Sequence, residues 1–163
     1  MHDRKIVVKT TPLIALSAAG CVAALSLLYE KVLVPREVAD EILAGGPNSP
    51  GFRKLSSSPE LDVQAERIEI RVSRANALDH GEAAVIATTV AKGIRLACID
   101  EKVGRRIARM AGLDLTGSIG ILIKAKRPGF PVVIRDAVSR MRERGIWLSA
   151  AVIVATPAAA GEE

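Results

Sequence analysis

Short apolar runs and amphipathic stretches alternate along the chain, and the period of the pattern changes from one to the other. Lys5–Val8 is an almost continuous apolar run, the signature of a strand buried on both faces. Thr10-Thr11-Pro12 can cap and open a helix, because proline at an early helical position lacks no donor the helix needs. Helical stretches follow to about Tyr29. Lys31–Val34 is a second β-branched run, and Pro35 opens a helix over Arg36–Ala44 that stops at Gly45-Gly46. Residues 45–60 are rich in Gly, Pro, Ser and Asn and predict a mobile loop inside the domain.

The second half repeats the alternation. Ile68, Ile70 and Val72 alternate with Glu69 and Arg71, so Arg67–Ser73 predicts a half-exposed edge strand. Leu78–Lys92 predicts a helix closed by Gly93, Ile94–Ile99 a buried strand, and Glu101–Ala111 a basic helix closed by Gly112. Leu113–Thr116 is a short strand. Two or three helices complete the domain, among them Val132–Arg144, and the segment 156–163 predicts a disordered tail. Strands that alternate with helices imply βαβ units. The expected fold is therefore α/β in three layers, with a parallel sheet of about four to five strands and helices on both faces, in a single domain over residues 1–155.

Composition narrows this. With 163 residues the chain can bury a real core, but aromatics are only 2%, so Ala, Val, Ile and Leu must build it. A net charge of +5 raises the prior for a polyanionic partner such as RNA, and the scarcity of aromatics argues against recognition by base stacking. Cys21 and Cys98 lie in apolar runs with no CxxC or Cys/His cluster, which fits two buried thiols in a reducing, cytoplasmic setting. From Thr10 to Tyr29 no residue is charged, and Arg4 and Lys5 precede the run, as in a membrane or lipoprotein signal. Pro12, Ser17, Gly20 and Ser26 dilute it, and a pair of short buried helices is the better expectation.

Candidate chemistry sits where strands end, because ligands of open α/β sheets bind outside the carboxyl ends. Lys9-Thr10-Thr11 leaves the first strand and Asp100-Glu101 leaves the strand ending at Ile99. Glu37 or Glu41 and Glu82 can add carboxylates from helices. Clustered carboxylates bind hard cations such as Mg²⁺ or Mn²⁺. Each acid also has a plain structural use: Asp100 as a helix N-cap, Asp79 to Glu82 as a capping box, Glu41 on a solvated face. No glycine-rich phosphate loop is present. Lys102, Arg105, Arg106 and Arg109 recur at helical spacing, either to track a phosphate backbone or as a solvated face.

At these residues the sequence resembles the PIN domain, in particular a compact prokaryotic subfamily related to VapC-type toxins. The segments are Lys9-Thr10-Thr11-Pro12-Leu13-Ile14, Val34-Pro35-Arg36-Glu37-Val38-Ala39-Asp40-Glu41-Ile42, Gly81-Glu82-Ala83-Ala84 and Asp100-Glu101-Lys102-Val103-Gly104-Arg105-Arg106. Gly117-Ser118-Ile119-Gly120, Ala125-Lys126 and Met141-Arg142-Glu143-Arg144-Gly145 also match, so the likeness covers roughly residues 5–154. The resemblance implies an endoribonuclease dependent on Mg²⁺ or Mn²⁺, with metal ligands Glu41, Glu82 and Asp100 and a supporting Thr11. It implies RNA contacts near Glu101, Arg105 and Arg106, an antitoxin protein as a partner, a possible homodimer and no membrane association. The departure is Lys9, which stands where the family carries its first acid. The alternative it raises is a degenerate PIN fold that binds RNA or a protein without cutting.

Overall fold

A computed structural model of the protein describes residues 4–68, 80–148, 152–153 and 161–162. Numbered in chain order, the strands are β1 (Lys5–Val8), β2 (Lys31–Val34), β3 (Leu61–Val63), β4 (Leu96–Cys98) and β5 (Asp114–Thr116). The helices are α1 (Thr10–Ala18), α2 (Ala23–Leu28), α3 (Arg36–Ala44), α4 (Pro50–Ser57), α5 (His80–Lys92), α6 (Lys102–Met110), α7 (Ser118–Lys126) and α8 (Ile134–Glu143). The strands form one five-stranded sheet in the order β3-β2-β1-β4-β5, and every pairing is parallel. This is the three-layer α/β architecture expected from the alternating pattern.

The strand order carries a functional consequence. The chain winds outward from β1 to β3, then returns to place β4 on the other side of β1. Right-handed crossovers in opposite directions put helices on opposite faces, and a crevice opens at the carboxyl ends where the direction reverses. That point lies between β1 and β4, which pair through Val7 with Ala97 and Val8 with Cys98. The backbone N–H of Lys9 still donates to the carbonyl of Cys98 at 3.1 Å, so the chain leaves β1 directly into the crevice. Ile6, Val7 and Val8 are fully buried, as the unbroken apolar run requires of a central parallel strand.

The uncharged stretch from Thr10 to Tyr29 resolves into α1 and α2. Gly20, at φ 71°, closes α1: Cys21 N–H reaches Leu16 O and Gly20 N–H reaches Ser17 O, the paired bonds of a left-handed helix stop. Among the described residues no helix is long and apolar enough to cross a membrane. Cys21 and Cys98 are free and buried, and burial raises both thiol pKa values.

Three expectations differ from the structure or fall outside it. Residues 45–60 do not form one loop, because α4 occupies their centre. Ser49-Pro50 starts it with proline in the first turn, and Gly51 is buried against Ile42 and Ile14. The proposed edge strand Arg67–Ser73 falls for the most part outside the described residues; the described sheet edges are β3 and β5. The tail expected to be disordered includes one fixed contact. The Glu162 carboxylate accepts from Lys126 Nζ at 2.6 Å and from the backbone N–H groups of Ile134 and Arg135. Those N–H groups open α8, whose own N-cap, Val133, has no side chain able to cap it.

Glu162 therefore caps α8 from a distance. Burial would raise its pKa, but the three hydrogen bonds and the Lys126 charge together hold it below the ordinary carboxylate range. A depressed folded pKa gives stability that is present above the unfolded value and is lost as pH falls through the folded one. Glu162→Ala is expected to cost about 1–2 kcal/mol in urea unfolding at neutral pH. The gap between wild type and variant should close below about pH 4, and a gap that stays constant with pH would count against the capping role.

Candidate functional site

The residues at the β1–β4 crevice arrive from five places in the chain. Lys9 follows β1, Thr10 and Thr11 open α1, Glu41 lies on α3, Glu82 lies in the first turn of α5, and Asp100-Glu101 links β4 to α6. Lys9 is 2% exposed, and its ammonium lies 3.0 Å from Glu101 Oε1 and 3.5 Å from Glu82 Oε1. Thr11 Oγ1 donates to the same Glu101 oxygen at 2.5 Å. Thr10 Oγ1 donates to Glu41 Oε2, also at 2.5 Å. The hydroxyls that follow β1 thus each hold one carboxylate from another part of the chain.

Glu82 is buried and α6 is pressed against it. A Cβ on Gly104 would stand 2.7 Å from Glu82 Oε1 and 3.1 Å from Ile99, so only glycine allows this approach. The charged carboxylate is tolerable in that setting because Lys9 faces it. The other oxygen of Glu101, Oε2, is buried without a hydrogen-bond partner.

Asp100 has a different place from the one expected of it. Its Oδ1 accepts the backbone N–H of Ser118 at 2.8 Å and its Oδ2 accepts the Ser118 hydroxyl at 2.9 Å. Ser118 is the first residue of α7, and its N-cap is Gly117, which offers no side chain. Asp100 is therefore a cap delivered from outside the helix, and a Cβ on Gly117 would fall 2.6 Å from its Oδ1. Burial raises the Asp100 pKa, against the pull of the two Ser118 bonds. Arg105 also turns inward: its Nη1 donates to the carbonyls of Ile99 and Thr116, tying together the ends of β4 and β5. Arg106 remains exposed, as do Lys102 and Arg109.

The structure thus brings together Lys9, Thr11, Glu82 and Glu101, with Glu41 held alongside by Thr10. It engages Asp100 and Arg105 in the scaffold. Glu101 is an ion-pair partner of Lys9. The signal for Glu101 was available: it follows Asp100 directly, and adjacent residues leaving a strand point opposite ways, so one of the two acids had to face away from the other. Nothing in the sequence marked Ser118 as the partner of Asp100.

A divalent cation does not fit these residues as they stand. The place between Glu82 and Glu101 holds the Lys9 ammonium. A dication about 4 Å from it would be repelled by roughly 8 kcal/mol at an effective dielectric near 20. Among the described residues no group of three or more Asp, Glu, His or Cys has an arrangement able to hold a metal ion. A cleft of about 450 Å³ opens elsewhere, along Arg36, Glu37, Gln64, Arg67 and Lys92, and Lys9 and its partners do not line it.

A parallel sheet in the order 3-2-1-4-5, with acids gathered at its switch point, defines a doubly wound α/β domain. The family model described as a PIN domain matches residues 5–162, and the chain belongs to the PIN-domain family. Comparisons with curated proteins and with solved structures found no match.

Two stability measurements follow from this geometry. Lys9→Met leaves Glu82 charged, buried and without this cation, and is expected to cost about 3–5 kcal/mol in denaturant unfolding. Asp100→Ala strips the α7 cap and should cost about 1–3 kcal/mol, whereas Asp100→Asn keeps an acceptor for Ser118 and should cost less than about 1 kcal/mol. Equal losses for Asn and Ala would contradict the capping role.

Proposed function

We propose that this PIN domain binds RNA at the carboxyl-end crevice without metal-dependent cleavage, acting in the cytoplasm. The observation that carries this reading is Lys9, whose ammonium takes the space between the two carboxylates nearest the switch point. The RNA part is supported by α6, which begins immediately after Glu101. It carries Lys102, Arg106 and Arg109 exposed and contains no acidic residue. Phosphates rather than bases are the natural target, because aromatics are only 2% of the chain.

One observation favours a second reading. Glu101 Oε2 is buried without a hydrogen-bond partner, and a cation would satisfy it. On that reading the protein is a Mg²⁺- or Mn²⁺-dependent endoribonuclease of the toxin kind, restrained by an antitoxin and relying on Glu41, Glu82, Asp100 and Thr11. It requires the Lys9 ammonium to leave its two partners.

Binding and cleavage of structured RNA separate the two. Wild type in EDTA should bind, with affinity that falls steeply with salt. Replacing Lys102, Arg106 and Arg109 together by Ala should lower the slope of log affinity against log salt by about 2. Incubation with Mn²⁺ should leave the RNA intact. Mn²⁺-dependent cleavage that Glu82→Gln abolishes would overturn the non-cleaving reading, and an unchanged salt slope would remove α6 as the contact surface.

A further inference from the structure

We propose that the cleft between α3 and α5 binds a nucleoside monophosphate whose base carries an exocyclic amine. Glu37 reads the base, and Lys92 and Thr88 hold the phosphate. This goes beyond RNA binding at α6 and does not rest on it, since Lys102, Arg106 and Arg109 do not line the cleft.

The chain's own bonds hold one wall. After β3 the backbone is laced to β2 and the first turn of α3. Gln64 N–H donates to Val34 O at 2.9 Å, Arg36 Nε donates to Gln64 O at 2.9 Å, and Ile68 N–H donates to Glu37 Oε1 at 3.0 Å. Arg67 Nη2 donates to Asp40 Oδ2 at 2.7 Å, and Arg36 Nη1 lies 3.7 Å from Asp40 Oδ1. Asp40 thus engages both arginines and fixes this wall to α3. Thr88, Ala91 and Lys92 of α5 line the same space, which is about 450 Å³ and lies in the size range of small-molecule sites.

Three polar groups of the cleft are uncommitted. Glu37 Oε2 is buried without a hydrogen-bond partner, an acceptor that a ligand N–H can satisfy. Glu37 itself is only part-buried, so a small turn of its carboxylate brings that oxygen to a ligand. Thr88 is 3% exposed, and its hydroxyl makes no hydrogen bond among the described residues. Lys92, in the last turn of α5, makes no ion pair among them.

Charge sets the kind of ligand. The cations Arg36, Arg67 and Lys92 are matched in number by the acids Glu37, Asp40 and Glu66. The cleft is therefore polarised rather than cationic, with a free ammonium on α5 and an orphan carboxylate oxygen on α3. That suits a molecule with an acidic group at one end and a donor at the other better than a bare anion. A lysine ammonium is an ordinary phosphate partner, and a carboxylate accepts from the exocyclic amine of cytosine. Uracil presents a carbonyl oxygen at the same place, which the Glu37 carboxylate repels. Pro35, Ile68 and Ala91 give the base an apolar side.

Titration calorimetry of the full-length protein in EDTA tests this with cytidine monophosphate, uridine monophosphate, inorganic phosphate and glycine. Cytidine monophosphate should give a one-site isotherm with a Kd of about 1 mM or tighter, and the other three should bind at least about 10-fold more weakly. Lys92→Met and Thr88→Val should each weaken cytidine monophosphate by about 5-fold or more. Glu37→Gln can offer either an acceptor or a donor, so the two nucleotides should bind it within about 3-fold of each other. The triple Ala replacement of Lys102, Arg106 and Arg109 should leave these affinities unchanged. The comparison within wild type needs no variant to fold. No binding of cytidine monophosphate, equal binding of the uridine form, phosphate or glycine, or a preference that survives Glu37→Gln would each overturn the proposal. Loss of nucleotide binding in the triple variant would move the site to α6 and overturn it as well.

Discussion

The ion pairing of one buried ammonium holds the functional end of this domain together. Lys9 leaves the central strand, Glu82 opens α5, and Glu101 opens the approach to α6. The Lys9 ammonium and the Glu82 carboxylate are both buried, and each offsets part of the other's cost of leaving water. The crevice between β1 and β4 exists because the strand order reverses there, but its lining is set by charge. The Glu82 contact is the stronger constraint, since both partners are nearly inaccessible, whereas the part-exposed Glu101 is more screened. Gly104 shows how tightly that constraint is built, because a single methyl there would displace the carboxylate.

Away from the crevice the fold solves a recurring problem in one way. Helices α7 and α8 both begin without a local capping side chain. Each receives an acidic residue from elsewhere: Asp100 from the β4–α6 link, and Glu162 from the far end of the chain. Such caps satisfy orphan N–H groups and also bind distant segments to one another. An acid used this way is committed to the scaffold. Asp100, a candidate ligand in the sequence, has both its carboxylate oxygens bonded to Ser118.

How much of this was legible in the sequence depended on the range of the interaction. The central strands and most helices were plain from local pattern. The buried run Ile6-Val7-Val8, the stops at Gly93 and Gly112, and proline openings such as Pro35 involve neighbours a few residues apart. Helix α4 was hidden because Ser and Gly dominate its composition, although Ser49-Pro50 is a sound helix start. The site was half legible. Strand ends named Lys9, Thr11, Asp100 and Glu101 as a neighbourhood, but not which acid of the last two faces inward. That choice is made by Ser118, eighteen residues on, and no local pattern encodes it. Glu162 was unreadable for the same reason, since its partners lie on α7 and α8.

A lysine at position 9 bears on what the crevice can do, not only on what it can hold. A dication between carboxylates lowers the pKa of bound water and polarises a phosphoryl oxygen. An ammonium supplies one charge and three hydrogen-bond donors, and here two carboxylates already claim it. Buried at 2% exposure, Lys9 cannot reach a phosphate without giving up those partners. The cationic groups that can meet an RNA backbone are instead those on the outer face of α6, one step from Glu101. On the proposed reading, the same residue occupies the interior of the crevice and leaves contact with a phosphate backbone to the rim.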